Sequence, residues 1–161
     1  MRTSNAITIL AVLSVVAAIA GDPKNDDQAR QHETLTALCS ISAAIERYSQ
    51  DDGHYPTSHS LSALGRKVVP RYATSLPTRD GWGNAFEIDS HSTAYTIASC
   101  GKGHIGECTS ALIGHEGKFG GEFTDPKNDT ILSNGKFIAW PKGLLEAHVD
   151  SRGRCKQADG Y

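Results

Sequence analysis

The sequence is poor in the features that mark most catalytic and nucleic-acid-binding proteins. No dense Lys/Arg block occurs, and the formal net charge is only −2 over 161 residues. Nothing in that balance recruits nucleic acid or an anionic membrane surface. C-x-x-C is absent, and the spacings of the four cysteines match no zinc motif. H-E-x-x-H is absent, since His32-Glu33 is followed by Thr-Leu-Thr. No G-x-S-x-G elbow accompanies the Ser, His and Asp residues. No internal repeat is visible. Apolar runs are also short. The longest, Ala6 to Ala20 with Thr8 and Ser14 inside it, falls below the roughly 20 residues that a spanning helix needs.

What is present fits one ordinary globular domain. Apolar residues make up 39% of the chain and charged residues 21%, which excludes a disordered composition. Two Trp and six Pro imply fixed turns around a modest core. Residues 1–20 read as a signal peptide or a short hydrophobic anchor: Arg2 supplies a positive charge, and Ala18-Ile-Ala20 gives a small-x-small cleavage pattern. No Cys follows Ala20, which argues against a lipoprotein. The expected location is exported: periplasm, cell envelope or secreted, with membrane contact only if the N-terminal segment is retained. Export makes Cys39, Cys100, Cys108 and Cys155 a disulfide set. Three pairings are possible. Cys100 and Cys108 flank a short Gly-rich loop, which favours that pair and leaves Cys39 for Cys155.

The pattern then divides into a polar linker over 21–28, a domain over 29–149 and a polar tail over 150–161. A helix is predicted from about Ala29 to Gln50, because Leu35, Leu38, Ser42, Ile45 and Tyr48 share one face. Gly53 ends it in a left-handed cap, and Pro56 cannot continue it. Ser58 or Ser60 caps a short second helix through Leu61 and Leu64. Asp80-Gly-Trp-Gly-Asn84 is turn chemistry. Phe86–Asp89 and Tyr95–Ser99 alternate as a hairpin, and Asn134-Gly135 joins a second one across Thr130–Ser133 and Lys136–Trp140. Gly101 to Gly121 reads as a long loop, and Leu144–Val149 as one or two helical turns. The fold class is therefore α+β, with one N-terminal helix packed on a small antiparallel sheet.

The order of these elements resembles the major pseudopilin of type II secretion systems. The residues that carry the likeness are Tyr48, Asp52-Gly-His-Tyr-Pro-Thr57, Asp80-Gly-Trp-Gly-Asn-Ala-Phe86, and Tyr95-Thr-Ile-Ala-Ser99 with Gly101. Gly120-Gly-Glu122, with Asn128-Asp129 before Ile131, resembles that family's calcium loop. The likeness covers about Ala29 to Pro141. It implies a pilin-like head domain and a non-catalytic structural or interaction role in protein secretion. The implied partners are other pseudopilins or secretion-system components. Two features depart from the family pattern. The prepilin Gly-Phe-x-x-x-Glu is absent, and Lys102 stands where an Asp commonly follows the Ser-x-Gly corner. The alternative is a soluble, secreted, calcium-stabilised binding or adaptor domain that no longer forms a fibre.

Each chemical motif has a plainer reading beside it. Glu122, Asp125, Asn128 and Asp129 gather oxygen donors within a short loop, and calcium takes six to eight oxygens from irregular loops. The plain reading is a solvated acidic loop. Gly101-Lys-Gly103-His-Ile-Gly106 matches G-x-G-x-x-G, but no helix is predicted to open there, so a disulfide-closed loop is expected instead of a dinucleotide site. Seven His are scattered, with His54 near His59 and His104 near His115. They read as surface residues. Trp82 is expected to pack over the helix. Asn128-Asp-Thr130 matches a glycosylation sequon, relevant only in a eukaryotic source.

Overall fold

A computed structural model describes residues 23–102, 108 and 120–156. The expected signal segment, Gly21-Asp22, most of the Gly-rich loop and residues 157–161 lie outside them. Helix α1 runs Pro23–Asp52 and α2 runs Leu61–Val68. The strands are β1 (Glu87–Ser90), β2 (Tyr95–Ser99), β3 (Gly121–Phe123), β4 (Thr130–Ser133) and β5 (Lys136–Pro141), and a one-turn α3 spans Leu145–His148. Among the described residues, no helix is long and apolar enough to cross a membrane.

Helix α1 starts earlier than its apolar periodicity implies. Residues 23–28, read above as linker, are helical. The cause is terminal chemistry instead of an apolar face. Proline is at home in a first turn, and Asp26 lies in this one, where carboxylates favour the helix dipole. Asp26 also pairs with Arg30 one turn on, at 2.9 Å. Downstream, Leu35, Leu38, Ile41 and Ile45 are fully buried at helical spacing. They meet Leu64 and Val68 of α2 and Ile97, Leu132 and Phe137 of the sheet in one core. Gly53 closes the helix with φ +74, its amide donating to the Ser49 carbonyl at 2.9 Å. Ser60 caps α2, accepting from the Ala63 amide at 3.2 Å.

The sheet order is β1-β2-β4-β5-β3. β1, β2, β4 and β5 pair antiparallel, while β3 joins β5 in parallel. Strand β3 begins at Gly121, the last residue of the segment read as loop. It is three residues long and has no buried alternation, so it carries no periodic signal. Asn134 and Gly135 both hold positive φ, +48 and +78, as a type I′ turn requires. The Asn134 side chain also accepts from the Tyr95 amide at 2.9 Å, which ties the β4–β5 turn to β2.

Two disulfides lie among the described residues, Cys39–Cys155 and Cys100–Cys108. The tail does more than hang from Cys155. Val149 bridges Cys155 and Lys136 bridges Arg154, so residues 150–156 fold back on β5 and α3. Asp150 organises that turn by accepting from the Arg152 and Arg154 amides, at 2.8 and 3.0 Å. Those bonds hold its carboxyl below the usual range.

Candidate functional site

The Asp80–Asn84 corner is the hub that joins α1, the sheet and the acidic loop. Asp80 is buried, and its carboxylate is saturated with donors. Oδ1 accepts from the Trp82 amide at 3.0 Å and the Asn84 amide at 2.8 Å. Oδ2 accepts from Ser99 Oγ at 2.7 Å. Backbone bonds close the same turn: Asp80 N–H donates to the Asn84 carbonyl, and Gly83 N–H donates to the Asp80 carbonyl. An acceptor-only side chain with two oxygens suits this work, because it serves several donors at once.

The corner docks on α1 through a glycine. Gly81 N–H donates to Thr34 Oγ1 at 3.0 Å, and Arg30 Nη1 donates to the Gly81 carbonyl at 2.9 Å. A Cβ on Gly81 would overlap the Arg30 backbone. The residue against the helix backbone is thus Gly81, beside the Trp82 that composition singled out. Trp82 is half-buried, and its buried indole nitrogen has no hydrogen-bond partner among the described residues.

From the corner, contacts run on to the acidic loop. Asn84 Nδ2 donates to the Gly101 carbonyl at 2.9 Å. Gly101, at φ +66, packs under the Pro126 and Asn128 carbonyls, where a Cβ would clash. Lys102 N–H donates to the Pro126 carbonyl, and Lys102 Nζ reaches back to Asp27 on α1, both at 2.8 Å. The loop is therefore closed onto the N-terminal end of the helix by a lysine.

Glu122, Asp125, Asn128 and Asp129 all lie on this loop or its leading strand. Glu122 sits in β3, and Glu122, Asp125 and Asn128 are exposed. Asp125 accepts from the Lys127 amide at 3.0 Å, and its carbonyl accepts from Asn128 N–H at 3.1 Å. Among the described residues, Glu122, Asp125 and Asp129 do not bring one carboxylate oxygen each to within 4.8 Å of the other two.

A second polar cluster lies further along α1, around Ser42 and Glu46. Tyr95 OH contacts Ser42 Oγ at 2.7 Å and donates to Glu46 Oε1 at 2.8 Å. Tyr55 OH donates to the same oxygen at 3.4 Å. Burial pushes the Tyr95 hydroxyl far above its ordinary pKa, so it stays a donor. Ser42, Glu46, Gln50, Tyr55, Asn134 and Arg154 line an open groove of about 670 Å³ here. The arrangement locks α1 to β2 through a satisfied network.

The histidines do not all scatter. His59 and His91 converge on Asp89, with contacts of 2.7 and 3.3 Å. Sequence spacing hid this set because His59 is brought in by a long-range bridge. His32 and His148 form an edge-to-face pair at 4.3 Å. His104 and His115, and Gly103 to Gly106 of the G-x-G-x-x-G match, lie outside the described residues.

The family model described as type II secretion system (T2SS), protein G, matches residues 23–122. That span runs from the start of α1 through the corner to β3. No curated protein matches the chain.

Proposed function

The chain belongs to the type II secretion system protein G family, and we propose that it works as a non-catalytic pseudopilin-like subunit of a secretion or pilus-like apparatus. The observation that carries this reading is the match over α1, the Asp80–Asn84 corner and the first hairpin. These are the parts that fix how the helix sits on the head. In this role the molecule acts through surfaces. Its partners would be other pseudopilins or secretion components, and its place the cell envelope after export.

Helix α1 supports such a role. One face is buried in the core, while Glu33, Thr36 and Ser40 form an exposed stripe at helical spacing on another. That stripe is a polar surface open to a neighbouring subunit.

The test has two arms in the source organism. Deleting the gene is expected to leave secreted proteins trapped in the envelope, with rescue by the wild-type chain. A photo-crosslinking residue at Thr36 or Ser40 is expected to capture another pseudopilin. Normal secretion in the deletion strain, together with no pseudopilin crosslink, would overturn the reading in favour of a soluble adaptor. Calcium at the acidic loop is a separate proposal. It rests on the oxygen donors that Glu122, Asp125, Asn128 and Asp129 gather in one short segment.

A further inference from the structure

We propose that His59, Asp89 and His91 form a binding site for a divalent transition-metal ion, with zinc as the physiological candidate. The site is built by backbone pairing. Ser58 and Ser90 form an antiparallel bridge in which each amide donates to the other's carbonyl at 2.8 Å. Both serines are buried. Ser90 Oγ donates to the Pro56 carbonyl and Ser58 Oγ to the Ser60 carbonyl, each at 2.8 Å. Successive side chains on extended backbone point to opposite faces. The residues flanking the buried serines therefore turn outward: His59 on one strand, Asp89 and His91 on the other. Antiparallel register places His59 opposite Asp89, and His91 follows on the same face. His91 N–H donates to the Ala94 carbonyl at 2.8 Å, which fixes the third position.

The ligand atoms are already close. His59 Nδ1 lies 2.7 Å from Asp89 Oδ1, and His91 Nε2 lies 3.3 Å from Asp89 Oδ2. The two rings are 5.3 Å apart. One atom from each residue can be chosen so that all three lie within 4.8 Å of one another. Tetrahedral zinc with bonds of about 2.0–2.2 Å needs neighbouring ligand atoms about 3.3 Å apart.

The donor set selects the ion. Two imidazoles and one carboxylate suit zinc and its neighbours in the first transition row, and do not suit calcium or magnesium. An ionised carboxylate only accepts, so each ring nitrogen facing it needs a proton between them. One cation can replace both protons. Side-chain exposures of 68% for His59 and 58% for His91 leave the site open to solvent, with a coordination position for water. A bound ion would staple the segment between α1 and α2 to the end of β1.

The test uses metal-free, tag-free protein and zinc chloride. Calorimetry is expected to show one zinc per chain at its tightest site. Nitrogen NMR of the histidine rings is expected to show His59 Nδ1 and His91 Nε2 moving on zinc addition. His59→Gln combined with His91→Gln should weaken that binding at least about tenfold, while His54→Gln leaves it unchanged. Circular dichroism checks that the variants fold, and the ring spectra of the wild-type chain need no variant. Zinc affinity unaltered in the double variant, or ring signals of His59 and His91 that stay still, would overturn the proposal.

Discussion

Gly81 lies directly against the backbone of Arg30, with its amide bonded to Thr34 and its carbonyl bonded to the Arg30 side chain. A methyl group there meets main chain, which has no rotamer to yield. Gly81→Ala is expected to cost about 1–3 kcal/mol of stability. Gly83→Ala is a useful contrast. Its Cβ enters open space, and only its φ of +87 opposes a side chain, which costs about 1–2 kcal/mol. Urea denaturation measures both. Faster hydrogen exchange at the residue-81 amide in the Gly81→Ala chain, and not in the Gly83→Ala chain, would show that its loss comes from undocking. A fully stable Gly81→Ala protein would show that the close approach is not a constraint.

Asp80 should behave as the hub of one network. Asp80→Ala strands the Trp82 and Asn84 amides and the Ser99 hydroxyl. Each buried donor left without a partner costs about 1–3 kcal/mol. Asp80→Asn keeps one carbonyl oxygen for the amides and should cost less. Ser99→Ala removes the third partner. A double-mutant cycle between positions 80 and 99 is expected to be non-additive, because the two share one hydrogen bond. Additive losses would place Ser99 outside the network.

Much of this framework was legible in the sequence because it depends on local chemistry. Gly53, Ser60 and Asn134-Gly135 specify a cap or a turn within a few residues, and each does so here. The face of α1 followed from the spacing of Leu35, Leu38 and Ile45. Other features had no local signal. The first turn of α1 is polar, so hydrophobic periodicity could not find it. Strand β3 is short and exists because β5 offers an edge. Trp82 drew notice as a large aromatic, yet the docking residue is its small neighbour, because close backbone approach selects for the absence of a side chain. His59 and Asp89 are far apart in sequence and meet only through the Ser58–Ser90 bridge. The acidic loop was visible as composition, but whether its oxygens converge depends on its path around Gly101.

The two disulfides should differ in their effect on stability. Cys39–Cys155 closes a separation of 116 residues, and Cys100–Cys108 one of 8. Restricting the unfolded chain gives upper values of about 4–5 and about 2–3 kcal/mol, respectively. Replacing Cys39 and Cys155 by Ala is therefore expected to lower the melting temperature more than replacing Cys100 and Cys108. It should also expose the amides of residues 154–156 to exchange, because the Val149–Cys155 bridge depends on the tail staying down. Equal losses would show that the tail is held by its backbone bonds alone.

Calcium should bind weakly at the acidic loop. Glu122, Asp125 and Asp129 do not all meet within 4.8 Å among the described residues, and Lys102 already joins the corner to Asp27. Drawing the oxygens together costs loop conformational freedom that binding must overcome. The expected dissociation constant is on the order of 10⁻⁴–10⁻³ M. Thermal melts across calcium concentrations, with EDTA as the control, test this. A micromolar, EDTA-reversible rise in melting temperature that disappears in Asp129→Ala would show instead that the loop closes into a full cage.

Stability should fall as the solution is acidified below neutrality, and His148 is one cause. It is buried, its Nε2 has no hydrogen-bond partner among the described residues, and it faces His32 with Lys156 nearby. Burial, then the charges of His32 and Lys156, lower its pKa from the ordinary 6.5. The unfolded chain therefore binds the proton more readily than the folded one. By linkage, the contribution of His148 is fully present above its unfolded pKa of about 6.5 and is lost as pH falls toward its folded value. His148→Gln removes the titration, and its denaturation free energy should depend less on pH between about 5 and 7 than that of the wild type. The same slope in both proteins would mean that His148 takes up its proton in the folded state without penalty, and that the contact with His32 opens to admit it.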